Sequence, residues 1–104
     1  MLRIYEVALE VVRRLAPVVE EIGRKDPDLA RQLRRAKVAV PLNIAEGSYA
    51  LGGNRRARYR TAMGEAREAL GCLEVAEAAG YARVDEETAK MLNRIIGTLY
   101  NVVR

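Results

Sequence analysis

Apolar residues recur at steps of three and four along nearly the whole chain, which is the spacing of amphipathic helices rather than strands. Turn signals divide this pattern into four segments, at about 2–24, 27–50, 55–79 and 85–104. Short connections between such segments favour antiparallel neighbours. The pattern therefore predicts an all-α fold, an antiparallel up-down four-helix bundle, as a single domain over residues 1–104.

The helix ends are predicted by individual capping residues. Asp26 followed by Pro27 is a typical start for the second helix, and Asn54 is predicted to cap the third. Gly80 can adopt the left-handed conformation that ends a helix, and Asp85 is predicted to cap the fourth.

The first and last helices each carry two neighbouring apolar stripes. In the first helix these are Ile4, Ala8, Val11, Leu15, Val18 and Ile22, and then Leu2, Tyr5, Leu9, Val12, Ala16 and Val19. In the last they are Met91, Ile95, Thr98 and Val102, and then Ala89, Leu92, Ile96, Leu99 and Val103. Because a four-helix bundle needs one apolar face per helix, the excess predicts self-assembly through these faces. A monomer with broad core-facing stripes is the alternative.

The third helix is rich in small residues, including Gly64 and Gly71 in its interior. Each of these glycines costs about 1 kcal/mol of helix stability relative to alanine. Tight packing against another backbone is the compensation that the sequence predicts.

Positive charge is concentrated in one part of the chain, although the whole chain has a net charge of only +4. Residues 31–60 hold one acidic residue and eight basic ones, which are Arg31, Arg34, Arg35, Lys37, Arg55, Arg56, Arg58 and Arg60. This segment predicts an anionic partner, RNA or DNA, held through phosphate contacts with weak sequence preference because exposed aromatic residues are not interleaved with the cations. Solvated surface or ion pairs between subunits are the alternatives.

Catalytic chemistry finds little support in the composition. The chain has no histidine and a single cysteine, so the usual general bases, nucleophile pairs and transition-metal sites are absent, and we predict neither an enzyme nor a cofactor. Cys72 is predicted to be a buried packing residue in a protein of a reducing compartment. No apolar run is long enough to cross a bilayer, which predicts a cytoplasmic protein without a membrane partner.

A polar motif interrupts the apolar pattern of the second helix at Pro41, Asn43, Glu46 and Gly47. Because Pro41 lacks a backbone donor, Asn43 is predicted to bond the carbonyl that the proline leaves unpaired. Glu46 lies near a helix C-terminus, where a negative charge is unfavourable, so it should have a cationic partner. These roles are structural, and a ligand-binding pair is the alternative.

The run from Arg34 to Gly47, R-R-A-x-x-x-x-P-x-N-I-A-E-G, resembles the signature of a family of small four-helix-bundle proteins. That family includes the proteins encoded in intervening sequences of bacterial large-subunit ribosomal RNA genes and the accessory variability determinants of diversity-generating retroelements. Further similar positions are Gln32, Tyr59, Gly64, Glu68, Gly80 and Tyr81. Glu65 departs from the family, which commonly has serine there.

The resemblance implies a homopentamer and, for the retroelement members, a basic surface linked to nucleic acid and to a reverse transcriptase. Together with the charge pattern it predicts a non-enzymatic nucleic-acid-binding scaffold that assembles as a homo-oligomeric ring, a pentamer. Two alternatives are an accessory protein that binds a reverse transcriptase and a purely structural oligomer.

Overall fold

A computed structural model describes residues 2–104 and contains, within that range, helices and no strand. The helices are α1, Ile4–Gly23; α2, Pro27–Tyr49; α3, Gly52–Ala78; and α4, Glu86–Val103. The predicted all-α class and the four helices are confirmed.

The helices pack in chain order around one core, in a body of about 42 × 23 × 20 Å. Each helix packs against the next, and α4 closes the bundle against α1. The α2–α3 interface is the most extensive, and the α1–α4 interface is the smallest of the four. Because short connections reverse the chain between successive helices, neighbours are antiparallel.

The core uses residues from both apolar stripes of α1 and of α4. On α4, Leu92, Leu99 and Val103 are buried, and Ile96 packs against the core. On α1, Val19 is buried, whereas Leu2 and Tyr5 are partly buried against the core. One chain therefore buries part of the apolar excess that predicted self-assembly, while Leu9 and Val12 of α1 stay half-buried and Val102 of α4 is 43% exposed. Self-assembly itself stays a prediction.

Three predicted helix ends are confirmed. The Asp26 and Asp85 carboxylates accept hydrogen bonds from the Leu29 and Thr88 amides, at 3.0 and 3.2 Å. Gly80 has a φ of 77°, and the following Tyr81 amide donates to the carbonyl of Ala76 at 2.8 Å. This is the six-to-one hydrogen bond of a glycine-terminated helix.

The predicted cap of α3 at Asn54 is wrong, because the helix begins at Gly52. The Asn54 backbone amide donates to the carbonyl of Leu51 at 3.2 Å, which places Asn54 inside the first turn. Gly52 has a φ of 56°, a conformation that costs glycine little. The chain can therefore turn from the extended Leu51 directly into the helix.

Close packing occurs at residues other than the two glycines that predicted it. A Cβ atom added at Gly64 or Gly71 would have no neighbour within 4 Å, so this prediction is wrong. The fully buried small residues of α3 are Ala62, Ala66, Ala69 and Ala76. Among the glycines, Gly47 of α2 has the closest neighbour, because an added Cβ would lie 2.5 Å from Cε1 of the Tyr59 ring.

Candidate nucleic-acid interface

Seven of the eight basic residues predicted to bind nucleic acid have exposed side chains, and Lys37 is the exception. Lys37 is 8% exposed, and its Nζ donates to the carbonyl of Val12 at 3.2 Å. Burial lowers the pKa of Lys37, and the nearby charge of Arg34 lowers that pKa further. Lys37 therefore joins α2 to α1, and its assignment to the binding surface is corrected.

The remaining cations form two groups, as their positions on α2 and α3 suggest. Arg58 of α3 lies beside Glu46 of α2, with 3.2 Å between Nη1 and Oε2. Arg34 precedes Glu46 by twelve residues, or about 18 Å along α2. The structure therefore separates Arg31, Arg34 and Arg35 from the four arginines at the start of α3.

Each group contains both paired and unpaired arginines. Arg31 pairs with Asp28 one turn away on the exposed side of α2. Arg34, Arg35, Arg56 and Arg60 form no ion pair with any carboxylate of residues 2–104. These four guanidinium groups have no carboxylate to displace before they contact an anion.

Arg55 has a partner within the chain that the sequence did not predict. Its Nε donates to the carbonyl of Ala50 at 3.0 Å, and its Nη2 donates to that of Ser48 at 3.3 Å. These carbonyls lie at the C-terminal end of α2, where the helix dipole favours a cation. A cation at the start of α3 is thus compensated by the end of α2, without phosphate.

In the polar motif of α2, Glu46 makes the kind of contact that was predicted for it, whereas Asn43 bonds a different carbonyl from the one predicted. Glu46 pairs with Arg58, so the predicted cationic partner is confirmed, and both side chains are about half exposed. Nδ2 of Asn43 donates to the carbonyl of Ala39 at 2.8 Å. The carbonyl that lacks a donor because of Pro41 belongs to Lys37, four residues back, so the predicted acceptor was wrong.

An arginine stripe, formed by Arg56, Arg60 and Arg67, runs along the solvent face of α3. All three side chains are exposed, and steps of four and seven residues place them on one face. Gly64 and Gly71 lie on the same face, where the missing side chains leave the backbone open. Arg67 was missed because it lies outside the basic segment, although its helical spacing from Arg60 was a usable signal.

Tyr49 is an exposed aromatic residue within the basic region, contrary to the prediction. Its side chain is 83% exposed at the last residue of α2. It borders an open groove of about 710 Å³ between α2 and α3, lined by Glu46, Tyr49, Ala50, Asn54, Ala57, Arg58 and Thr61. Its spacing from the buried Ile44 and Gly47 was the signal that it points away from the core.

Cys72 is buried, as predicted, and burial raises the pKa of its thiol. The charge of Glu68 raises that pKa further. A protonated thiol among alanine side chains is a packing group, because the thiolate is the reactive form.

The model of the 23S rRNA-intervening sequence protein family matches residues 1–101, nearly the whole chain. The chain belongs to this family. The family that the motif from Arg34 to Gly47 resembled is thereby confirmed. No curated protein matches the chain. In residues 2–104, no helix combines the length and apolar character required to span a membrane.

A solved structure shows the same fold. It is the crystal structure of a protein of unknown function from the S23 ribosomal protein family of Bacteroides thetaiotaomicron. The two structures superpose with a TM-score of 0.83 over 97% of this chain and 98% of that one. At 18% sequence identity, the likeness shows that a member of the S23 family has this arrangement of helices and indicates nothing about a ligand.

Proposed function

We propose that this protein is a non-enzymatic nucleic-acid-binding scaffold that works as a ring of identical subunits. The observation that carries the proposal is the charge of residues 31–60, which present seven exposed arginines and a single acid. That acid, Glu46, is paired with Arg58 and so repels phosphate less than a free carboxylate. Arg67 extends the same surface along α3.

Phosphate is the chemical group that best fits these arginines. A guanidinium group can donate two parallel hydrogen bonds to the oxygens of one phosphate. The arginine stripe places three such groups in a row along one face of α3, where they can contact phosphates of one nucleic-acid backbone. Such contacts position a polyanion without reading its sequence. The proposed binding is therefore weakly sequence-specific and falls steeply with salt.

Assembly is proposed through an apolar face shared by α1 and α2. On α2, Val38 and Leu42 are 39% and 58% exposed. On α1, Leu9 and Val12 are half-buried, and the Lys37–Val12 hydrogen bond places this stripe beside Val38. A ring, with five copies as the resemblance implies, repeats each basic surface and strengthens the binding of a ligand that spans several of them.

Salt-titrated binding tests the proposal. The logarithm of the binding constant should fall linearly with the logarithm of the salt concentration, with a slope of about −0.9 per phosphate neutralised on duplex DNA. On single strands the slope should be about −0.7 per phosphate. Absence of binding at low salt contradicts the proposal.

A charge-reversed variant locates the contact. Arg56→Glu with Arg60→Glu changes two exposed arginines that have no ion pair in residues 2–104, and should weaken binding of unrelated sequences equally and flatten the slope. Arg94→Glu with Arg104→Glu is the matched control, because it makes the same change in net charge at exposed positions on and after α4. Equal losses in both variants would mean that net charge, and no particular surface, attracts the ligand.

A further inference from the structure

The groove beside Tyr49 has features that phosphate binding alone does not use. Tyr49 is the most exposed of the large apolar side chains in the described chain, at 83%. We infer that this groove takes one unpaired base of a single-stranded nucleic acid, stacked on the ring of Tyr49. This inference rests on the proposed function, and it specifies that the nucleic acid bound by the protein is single-stranded rather than duplex.

The backbone that carries Tyr49 is held on both sides. The carbonyls of Ser48 and Ala50, the residues before and after Tyr49, both accept hydrogen bonds from Arg55. The backbone that carries the ring is thus held in place, which reduces the backbone entropy lost when a base stacks on Tyr49. Aromatic side chains beside cations are the usual combination in proteins that bind single strands.

Hydrogen-bonding groups for a base edge line the same groove. The side-chain amide of Asn54 makes no hydrogen bond with residues 2–104, so it offers both a donor and an acceptor. The Thr61 hydroxyl donates to the carbonyl of Ala57 at 3.1 Å, and its oxygen remains free to accept. Both residues line the groove with Tyr49.

Charge in the groove fits the phosphates that flank a base. Arg58 lines the groove, and Arg55 uses two of its nitrogens on α2, which leaves further N–H donors. Bases inside a duplex are stacked on their neighbours and have no face available for Tyr49. Nucleic acid fits better than a protein segment, because Tyr49 provides the only large apolar surface among the lining residues.

The test compares Tyr49→Ala with wild type on single-stranded RNA, single-stranded DNA and an RNA duplex of the same sequence. Loss of one stacked base should weaken binding of the single strands by about 5- to 150-fold, the equivalent of about 1–3 kcal/mol. The salt slope should not change, because the phosphate contacts remain. Duplex binding should change less than about twofold, and the relative losses on RNA and DNA show which strand the groove accepts.

Two further variants separate stacking from other effects. Tyr49→Phe should retain binding, since its ring also stacks. Tyr100→Ala removes a half-exposed tyrosine of α4, away from the groove, and should leave binding unchanged. Fluorescence of 2-aminopurine in the single strand should be quenched by wild type and by Tyr49→Phe, and less by Tyr49→Ala.

The outcomes distinguish this inference from the proposed function. If the arginine-stripe variant loses binding while Tyr49→Ala binds single strands as wild type does, the scaffold proposal stands and the stacking site is wrong. If Tyr49→Ala weakens binding of single strands and of the duplex equally, or if its mass in solution differs from that of the wild-type assembly, the stacking site is also wrong. Binding of an acidic peptide in the groove in place of a single strand would also overturn it.

Discussion

At the scale of single residues, Gly47 and Gly64 have opposite roles in packing that their local sequence does not show. Gly47 is buried where α2 meets α3, and an added Cβ would lie 2.5 and 2.7 Å from two ring carbons of Tyr59. Tyr59 is 4% exposed and has little room to move. Gly64 lies on the open face of α3, with no such neighbour.

The same substitution should therefore have opposite effects at the two positions. Gly47→Ala should lower the free energy of unfolding by about 1–3 kcal/mol, because the methyl group overpacks the interface. Gly64→Ala should raise it by about 0.5–1 kcal/mol through helix propensity alone. Denaturant unfolding measures both, and a stabilised Gly47→Ala would show that Tyr59 can move aside.

The burial of Lys37 could be predicted from its position in the helical pattern but not from a count of charged residues. Its position, four residues after Leu33 and three before Val40, places it on the buried face of α2. A count of charges in residues 31–60 treats it as equal to the arginines. The acceptor on Val12 belongs to another helix, so only the packed structure identifies it.

At the scale of elements, Asp85 connects the start of α4 to α1. Its carboxylate accepts the Thr88 amide and pairs with Arg14 of α1 at 3.3 Å. The hydrogen bonds from Thr88 hold the pKa of Asp85 below its ordinary value, and the charge of Arg14 lowers it further. The stabilisation is therefore present above the pKa of an unfolded aspartate and is lost as the pH falls through the lower, folded pKa.

Substitution of Asp85 should reproduce this pH dependence. Asp85→Ala should cost about 0.5–2 kcal/mol at neutral pH, because the cap is lost. Its difference from wild type should begin to shrink below about pH 4, where the carboxylate of the unfolded chain binds a proton, and should continue to shrink until the folded carboxylate is protonated as well. Asp85→Asn is the control, since asparagine also caps helices but does not titrate. A difference between Asp85→Ala and wild type that stays constant from pH 7 to pH 2 would contradict this account.

Helix ends were predictable from sequence wherever one side chain or one glycine decides them. Asp26, Asp85 and Gly80 act within a single turn, so their local sequence suffices. The start of α3 was misplaced because Gly52 makes an earlier turn possible than the preferred cap at Asn54. The compensation of Arg55 was not predictable, because it depends on where the end of α2 lies.

At the scale of the whole molecule, assembly should depend on α2 more than on α4. Leu42→Glu places a charge on the proposed α1–α2 face and should reduce the mass in solution from near five times 11.6 kDa to that of one chain. Because Leu42 is 58% exposed, the helical content should be retained. Light scattering after size exclusion and circular dichroism measure the two properties.

A matched substitution shows whether the effect is specific to that face. Val75 of α3 is 55% exposed, so Val75→Glu makes a similar change on another surface and should leave the mass unaltered. A monomeric wild type at micromolar concentration would contradict assembly altogether. Leu99 is unsuitable for this purpose, since it is fully buried in the core of one chain and its substitution would unfold the bundle.

The number of helices and the buried stripe of each helix were accessible from the sequence, because 3.6-residue periodicity records which side faces the core. The width of the apolar arc on a helix did not show whether the apolar residues beyond the central stripe face solvent. Met91 and Ile96 illustrate the reason, since a small bundle surrounds its core closely enough to cover side chains well off the central stripe.

The order in which the helices pack has a consequence for the speed of folding. Each helix packs against its neighbour in the chain, and of the four main interfaces only the small one between α1 and α4 joins helices that are not consecutive. Topologies dominated by such local contacts cross their folding barrier in microseconds to milliseconds, because little loop-closure entropy is lost before contacts form. The α2–α3 hairpin has the largest interface and a two-residue connection, so we expect it to form first and α4 to close against α1 later, which φ-values of variants in the two interfaces would measure.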